Sequence, residues 1–428
     1  MLVDKKGWLA ISPLFVFLVV YLISSLLAGD FYKVPVTAAF LVASAYAILT
    51  TRGTDSKGSR LDTDGRLAVF SKGAGQSDVL LMIWIFVLAG AFAAIAKEIG
   101  SIDATVAFAL RILPARFLYA GLFVAACFIS MAIGTSVGTI VALVPVAAGL
   151  AEQTGGGIPM MTAVVVGGAF FGDNLSFISD TTVAATRSQG VQMRDKFRSN
   201  IKIAAPAAIV VTAIYVWLGR GTGVVEAASS VEWVKMIPYL LVIGLALAGL
   251  NVVAVLAIGI VACGIIGIAC GEIGWVECLA SAGEGIAGMG ELIIVTLLAG
   301  GMLGLIRHNG GMDFIIKGLT RRISSPRGAS FSIAALVCLV NLCTANNTIA
   351  IITAGPLAKE IGDRYKLDPS RTASILDTFS CLVQGIIPYG AQLLMASGLA
   401  GVSAAAIIGH LYYPLALGVF SVIGIIRK

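Results

Sequence analysis

Apolar runs of about 17 to 25 residues, separated by short polar stretches, recur along the whole chain, and each has the length of one helix crossing a bilayer at roughly 1.5 Å per residue. Candidate spans cover 8–28, 34–50, 78–97, 160–187, 203–219, 236–250, 252–271, 291–306, 371–397 and 404–425, ten crossings in all. Two further apolar stretches, 117–153 and 328–362, are too long for one crossing. They are interrupted by Gly134-Thr-Ser-Val-Gly138 and Thr344-Ala-Asn-Asn-Thr348, which makes each a re-entrant hairpin by expectation. With 58% hydrophobic and 12% charged residues, a water-soluble domain is excluded. The first run follows Asp4, Lys5 and Lys6, but it is long and lacks a small-residue cleavage site, so it reads as a retained helix. Seven cysteines without CxxC spacing or nearby histidines read as small packing residues rather than metal ligands.

The net charge of +6 serves orientation rather than an acidic or nucleic-acid partner. With the N-terminus in the cytoplasm, 23 of the 29 Lys and Arg fall inside and six outside, namely Lys33, Lys97, Arg111, Arg116, Arg220 and Lys235. The inside set includes the central run Arg194, Lys196, Arg198 and Lys202 and the terminal Arg427 and Lys428, so both termini are expected in the cytoplasm. The halves 1–220 and 221–428 repeat at a shift of about 210: Gly73 with Gly283, Ala89-Gly90 with Ala299-Gly300, Lys97 with Arg307, and Asp103 with Asp313. Five crossings separate equivalent points, so the second copy is inserted upside down. The expected fold is an all-α integral membrane protein of about ten transmembrane helices plus two re-entrant hairpins in an inverted-topology repeat, an architecture of secondary transporters.

The chemistry concentrates in Gly167-Gly-Ala-Phe-Phe-Gly-Asp-Asn-Leu-Ser-Phe-Ile-Ser-Asp-Thr-Thr182, where polar groups interrupt an apolar crossing. An ionised carboxylate near the bilayer centre costs about 2.5 to 3.5 kcal/mol on insertion scales, so Asp173 and Asp180 are expected to face the bundle interior, either protonated or holding sodium. Proton and sodium then compete for one carboxylate, which is sufficient for exchange. Asn174, Ser176, Ser179, Thr181 and Thr182 would assist, together with Thr135, Ser136 and Thr139 from the first hairpin tip. The second half offers Asn346, Asn347 and Thr348 at its tip and Asp377, Gln384, Tyr389 and Gln392 around a break at Pro388, with Gln384 standing opposite Asn174. This reads as a more neutral substrate or ion site. Any single hydroxyl or amide among these also serves helix packing; clustering at chain breaks is what favours binding. His308 and His410 sit near span ends and read as solvated groups. No ATP-binding loop, HExxH pair or nucleophile with a base occurs, so an ion gradient is expected to drive transport, with no cofactor and no catalysis.

The stretch GAFFGDNLSFISDTTVAATRSQG, residues 168–190, resembles the signature of the NhaC-type sodium/proton antiporters. FISMAIGTSVGTIVALVP (128–145) and LVNLCTANNTIAIITAGP (339–356) resemble the paired hairpins of the ion transporter superfamily, although their tips read Gly-Thr-Ser and Ala-Asn-Asn instead of Ser-Asn-Thr. The resemblance implies sodium/proton antiport by alternating access in a bacterial inner membrane. It also implies an elevator-like movement of a hairpin-bearing domain against a scaffold that forms a homodimer. Relatives of similar appearance carry amino acids or organic acids, so a sodium- or proton-coupled metabolite transporter is the alternative. The lack of Lys or Arg at mid-membrane depth in this topology weighs against a strongly anionic cargo.

Overall fold

The computed structural model describes residues 2–27, 35–51, 61–112, 114–177, 179–221, 232–312, 314 and 325–427. Lys33, Asp313 and Lys428 of the sequence reading lie outside them. The described regular structure is helical. In the first half it comprises α1 (Leu2–Leu27), α2 (Val36–Thr50), α3 (Thr63–Ala74), α4 (Ser77–Glu98), α5 (Ser101–Ile112), α6 (Leu118–Ile133), α7 (Ser136–Thr154), α8 (Ile158–Leu175), α9 (Asp180–Gln189) and α10 (Met193–Leu218). The second half continues with α11 (Trp233–Leu247), α12 (Val252–Ala269), α13 (Trp275–Gly288), α14 (Gly290–His308), α15 (Pro326–Thr344) and α16 (Asn347–Arg364). It closes with α17 (Pro369–Gln384), α18 (Ala391–Ala400), α19 (Ala404–Ile408) and α20 (Tyr412–Ile426).

Seven helical stretches among the described residues are long and apolar enough to cross a membrane, and six shorter apolar helices accompany them. Three helices lie between the expected spans: α3, α5 and α13, of 12, 12 and 14 residues. They carry too few apolar residues in a row to register as crossings. The expected last span, 404–425, is interrupted: α19 ends at Ile408, and α20 begins at Tyr412.

Helix contacts come in matched pairs. α3 packs on α14 and α13 on α4; α2 packs on α14 and α12 on α4; α9 packs on α16 and α18 on α7. In each pair the two halves exchange roles. The α3/α14 crossing is close because Gly73 lies against the backbone of Gly300, Gly301 and Gly304, and the α13/α4 crossing because Gly285 and Gly90 face each other. Gly73 thus matches Gly285, not Gly283, which has open space around it. A side chain at Gly90 would meet the carbonyl of Gly285, a backbone atom that cannot rotate away. We expect Gly90→Leu to lower the melting temperature of the detergent-solubilised protein or abolish its folded yield. Gly283→Leu should melt with the wild type.

The packing divides the chain by function of position rather than by half. One group contains α1–α4 and α11–α14; the other contains α6–α10 and α15–α20. Both hairpins and both broken helices belong to the second group.

Candidate functional site

Two tips and two breaks converge in that second group. At the first tip, Gly134 ends α6 in the left-handed region (φ 77) and the extended Thr135 leads into α7. At the second, Ala345 ends α15 with φ 51 and the extended Asn346 leads into α16. The conformations are the same although only one tip has glycine, and holding an alanine there costs about 1–2 kcal/mol. Asn346 offsets part of this by capping α16, its Oδ1 accepting from the N–H of Ile349 at 3.0 Å.

The first break separates α8 from α9 at Ser176, which is extended (φ −66, ψ 141). Ser179 restarts the chain as the N-cap of α9, its Oγ accepting from the N–H of Thr182 at 3.2 Å. The same hydroxyl donates to the carbonyl of Asp173 at 2.9 Å, and the hydroxyls of Thr181 and Thr182 approach that carbonyl at 3.3 and 3.4 Å. Side-chain hydroxyls thereby satisfy the Asp173 carbonyl at the severed end of α8. α8 is fixed to α6 through Gly172, which seats Ser130 where any side chain would collide; the Ser130 hydroxyl donates to the carbonyl of Ala169 at 2.7 Å.

The second break, after Gln384, is in register with the first. The starts of α7 and α16, α8 and α17, and α9 and α18 all differ by 211 (347 − 136, 369 − 158, 391 − 180). Gln384 therefore stands at the position of Asp173, one residue from the expected match with Asn174. The register also explains the hydrogen bonding. The N–H of Ser136 at the first tip donates to Asp173 Oδ1 at 3.1 Å, and Gln384 Nε2 donates to the carbonyl of Ala345 at the second tip at 3.0 Å. Gln392 ties the halves together, donating to Ser136 Oγ at 3.0 Å and accepting from Gln384 at 2.9 Å.

Between the tips and breaks lies a cavity of about 270 Å³. Of the expected site residues it is lined by Asp173, Asp180, Thr181, Thr135 and Ser136 from the first half and by Asn346, Asn347, Thr348, Gln384 and Gln392 from the second. The other helix group contributes Leu81, Met82 and Ile85 of α4 and Val252 of α12 to its wall. It therefore sits between the two helix groups. Asn174, Ser176, Ser179, Thr182, Thr139, Asp377 and Tyr389 do not line it. Ser179 and Thr182 serve the end of α8, and Thr139 bonds back to the carbonyl of Thr135 at 3.1 Å. Tyr389 donates to the carbonyl of Leu342 at 2.8 Å, against the rings of Phe17 and Phe40.

The buried carboxylates have different surroundings. Asp377, 1% exposed, faces Lys196, also 1% exposed, at 2.9 Å. Asn200 and Asn174 donate to the same oxygen at 2.6 and 3.2 Å. Lys196 also donates to the carbonyl of Asn174 at 2.9 Å and to Thr182 Oγ1 at 2.7 Å, and Tyr413 donates to Asn174 Oδ1 at 3.0 Å. Asp377 thus carries a built-in counter-charge. Asp173, 5% exposed, takes part in no ion pair among the described residues. Asp180 opens α9, where the helix N-terminus favours its charge, and it is exposed to the cavity.

Residues 6–220 and 224–426 match the sequence profile of the Na+/H+ antiporter family. The chain belongs to the Na+/H+ antiporter family. It is 24% identical over 364 residues to the Na(+)/H(+) antiporter NhaC of Bacillus subtilis, covering 76% of this chain and 78% of that one. The malate-2H(+)/Na(+)-lactate antiporter of the same organism is 23% identical over 366 residues, 77% of each chain. The arginine/ornithine antiporter ArcD of Halobacterium salinarum is 22% identical over 306 residues, 63% of each. Among solved structures, the YdaH transporter of Alcanivorax borkumensis aligns over 91% of this chain and 97% of its own at 14% identity, with a TM-score of 0.45. The chain is a multi-pass membrane protein of the antiporter class and not an enzyme.

Lys196 corrects the sequence reading, which counted it with Arg194, Arg198 and Lys202 in the central basic run on the cytoplasmic side. α10 begins at Met193, so Arg194, Arg198 and Lys202 point outward while Lys196 and Asn200 turn inward. The signal was available: Lys196, Asn200, Ala204, Ala207, Val211 and Tyr215 form one stripe at spacings of three and four, and all are buried. Net charge along the loop concealed it.

Proposed function

We propose that this antiporter exchanges sodium for protons across the membrane, with Asp173 as the exchange carboxylate, by alternating access. The observation that carries this is the contrast between two buried carboxylates: Asp377 is neutralised by Lys196, while Asp173 lines a cavity with one N–H donor and no cation of its own. A carboxylate out of water that lacks a counter-charge needs a proton or a metal cation, and either one excludes the other. Sodium fits the neighbouring donors, which are short oxygens: Asp180, Thr135, Thr181 and the carbonyl oxygen of Gln384, which has no donor among the described residues.

Movement follows from where the cavity lies. Both tips and both breaks ride on one helix group, and α4 and α12 of the other form the facing wall. Sliding the first group along the second would carry the site between the two sides of the membrane. The exchanged contact pairs and the 211-residue register support an inverted-topology repeat, which gives inward- and outward-facing states of similar energy. Removing Lys196 from the inside count leaves 22 (23 − 1) basic residues against six, so the charge asymmetry still supports cytoplasmic termini. Homodimeric assembly and a bacterial inner membrane rest on the family resemblance. Relatives named for malate, lactate, arginine and ornithine keep a metabolite cargo as the alternative.

Competition supplies the test. In proteoliposomes with an internal pH dye, lowering the external pH should weaken apparent sodium affinity, by about tenfold per pH unit where one proton competes with one ion. Maximal rate at saturating sodium should change far less. An apparent sodium affinity that did not vary between pH 6 and 9 would remove the shared carboxylate. A response seen only with an added amino or organic acid would establish the metabolite reading instead.

A further inference from the structure

The cavity that holds Asp173 is larger and more varied than a monatomic ion requires. At about 30 Å³ for each water in the liquid, its 270 Å³ takes about nine water-sized groups. Its first-half side carries two carboxylates, Asp173 and Asp180, and the described residues lining it include no Lys or Arg. Leu81, Met82, Ile85, Val252, Ile349 and Ile352 supply apolar surface. The second-half side carries two amides, each with one group left over. Gln384, fully buried, uses Nε2 to donate to the carbonyl of Ala345 at 3.0 Å and to Gln392 Oε1 at 2.9 Å. Its Oε1 is buried with no donor among the described residues. Asn347, 5% exposed, is the reverse: its Oδ1 accepts from the N–H of Thr348 at 3.0 Å, and its Nδ2 is buried with no acceptor among the described residues. A backbone partner fixes the orientation of each amide, so one brings an unpaired oxygen to the cavity wall and the other an unpaired donor.

We propose that this cavity also binds a small primary ammonium compound with a neutral oxygen at its other end, an amino alcohol or amino amide, whose ammonium takes the place of sodium. The proposal rests on the reading of Asp173 as the exchange carboxylate. An ammonium is a compact charge with three donors, and like sodium it needs oxygens that have no hydrogen to give. Asp173, Asp180 and Gln384 Oε1 are such oxygens. A monocation on Asp173 removes the cost of burying that charge unpaired. Asn347 is what sodium alone leaves unexplained, because an amide N–H cannot ligate a cation and a buried donor without a partner is costly. An oxygen at the far end of the ligand would accept from Asn347. The start of α16 at Asn347 favours the negative end of a dipole there, and the short hydrocarbon between the two ends suits the apolar surface. A carboxylate tail fits less well: no lining cation holds it, and Asp173 and Asp180 repel it. A metabolite cargo at this site is therefore an organic cation rather than an anion.

Purified protein in detergent and sodium-free potassium phosphate is titrated with straight-chain alkylammonium salts, amino alcohols, amino amides and amino acids of two to five carbons, with the neutral alcohols and potassium chloride as references. Melting temperature and calorimetry report binding. An amino alcohol or amino amide should bind saturably where the neutral alcohol does not, and sodium at ten times its own dissociation constant should weaken that binding about tenfold. Asp173→Asn should weaken it by at least about tenfold, the scale of one charge-assisted pair. Asn347→Ala should weaken the amino alcohol by about fivefold and the plain alkylammonium of the same length far less, a difference that a general loss of structure would not produce. If Asn347→Ala does not fold, Asn347→Ser takes its place. Exchange measured in parallel separates this proposal from the reading it rests on. Sodium/proton exchange without saturable binding of any amine would overturn the proposal and leave Asp173 as the exchange carboxylate. Amine binding lost in an Asp173→Asn variant that still exchanges sodium for protons would leave the ammonium site standing and remove the exchange role. Binding that sodium does not displace, or an amino acid that binds more tightly than the amino alcohol of its length, would also overturn the proposal.

Discussion

Asp173→Asn is expected to reduce sodium-driven proton movement to the level of protein-free liposomes while the purified protein still elutes as a folded species. Asparagine has the shape of aspartate and keeps an oxygen to accept the N–H of Ser136, which now donates to Asp173 at 3.1 Å. The hairpin tip therefore stays anchored. What disappears is the charge that alternates between proton and sodium. The carbonyl of residue 173, held by Ser179, Thr181 and Thr182, is unaffected, so the end of α8 keeps its cap. Asp180→Asn should have a smaller effect, because Asp180 is exposed at a helix start where water also stabilises its charge. It should raise the sodium concentration needed for half-maximal rate while leaving exchange detectable. Full exchange by Asp173→Asn would make that carboxylate an anchor for the first tip and nothing more. The exchange role would then pass to Asp180.

The fold was legible wherever one physical rule decided the outcome. Apolar run length placed the long apolar helices but not α3, α5 or α13, and polar interruptions placed both tips within a residue or two, because a break in lipid needs groups that satisfy its own backbone. Asp173, Asp180, Gln384 and Gln392 were singled out for the same reason, and they line one cavity. What the sequence concealed depends on direction rather than type. Ser179 and Thr182 have suitable chemistry for an ion, but the first restarts α9 and donates to a backbone carbonyl, and the second accepts from Lys196. Asp377 looked like a site carboxylate until its counter-charge came from α10, 181 positions away (377 − 196). A sequence read span by span has no means of pairing those two. The register between halves was one residue off at Gln384 because identity matches around Gly90 and Gly300 carry a shift of 210, while the helix starts around the site carry 211.

Lys196→Met is expected to be strongly destabilising. It leaves Asp377 buried at 1% exposure without its cation, which costs about 3–5 kcal/mol when one partner of a buried pair is removed. Methionine fills the space of the aliphatic stem, so lost packing contributes little. Two amides remain on Asp377, from Asn200 and Asn174, but neutral donors do not replace a charge. Adding Asp377→Asn to Lys196→Met removes the unpaired charge and should restore most of the melting temperature. The double variant then separates two roles for the pair. If it folds and exchanges sodium at the wild-type rate, the pair is structural, holding α10, α17 and the end of α8 together. If it folds but exchange is slow, the charges matter to transport: the ammonium on the carbonyl of Asn174 and on Thr182 fixes the break on which Asp173 sits. We expect the second outcome. An ammonium bridging a carbonyl of α8 and a hydroxyl of α9 sets the geometry of the break, and methionine cannot donate to either. A double variant that stays as unstable as Lys196→Met would show that those two hydrogen bonds, rather than the ion pair, carry the stabilisation.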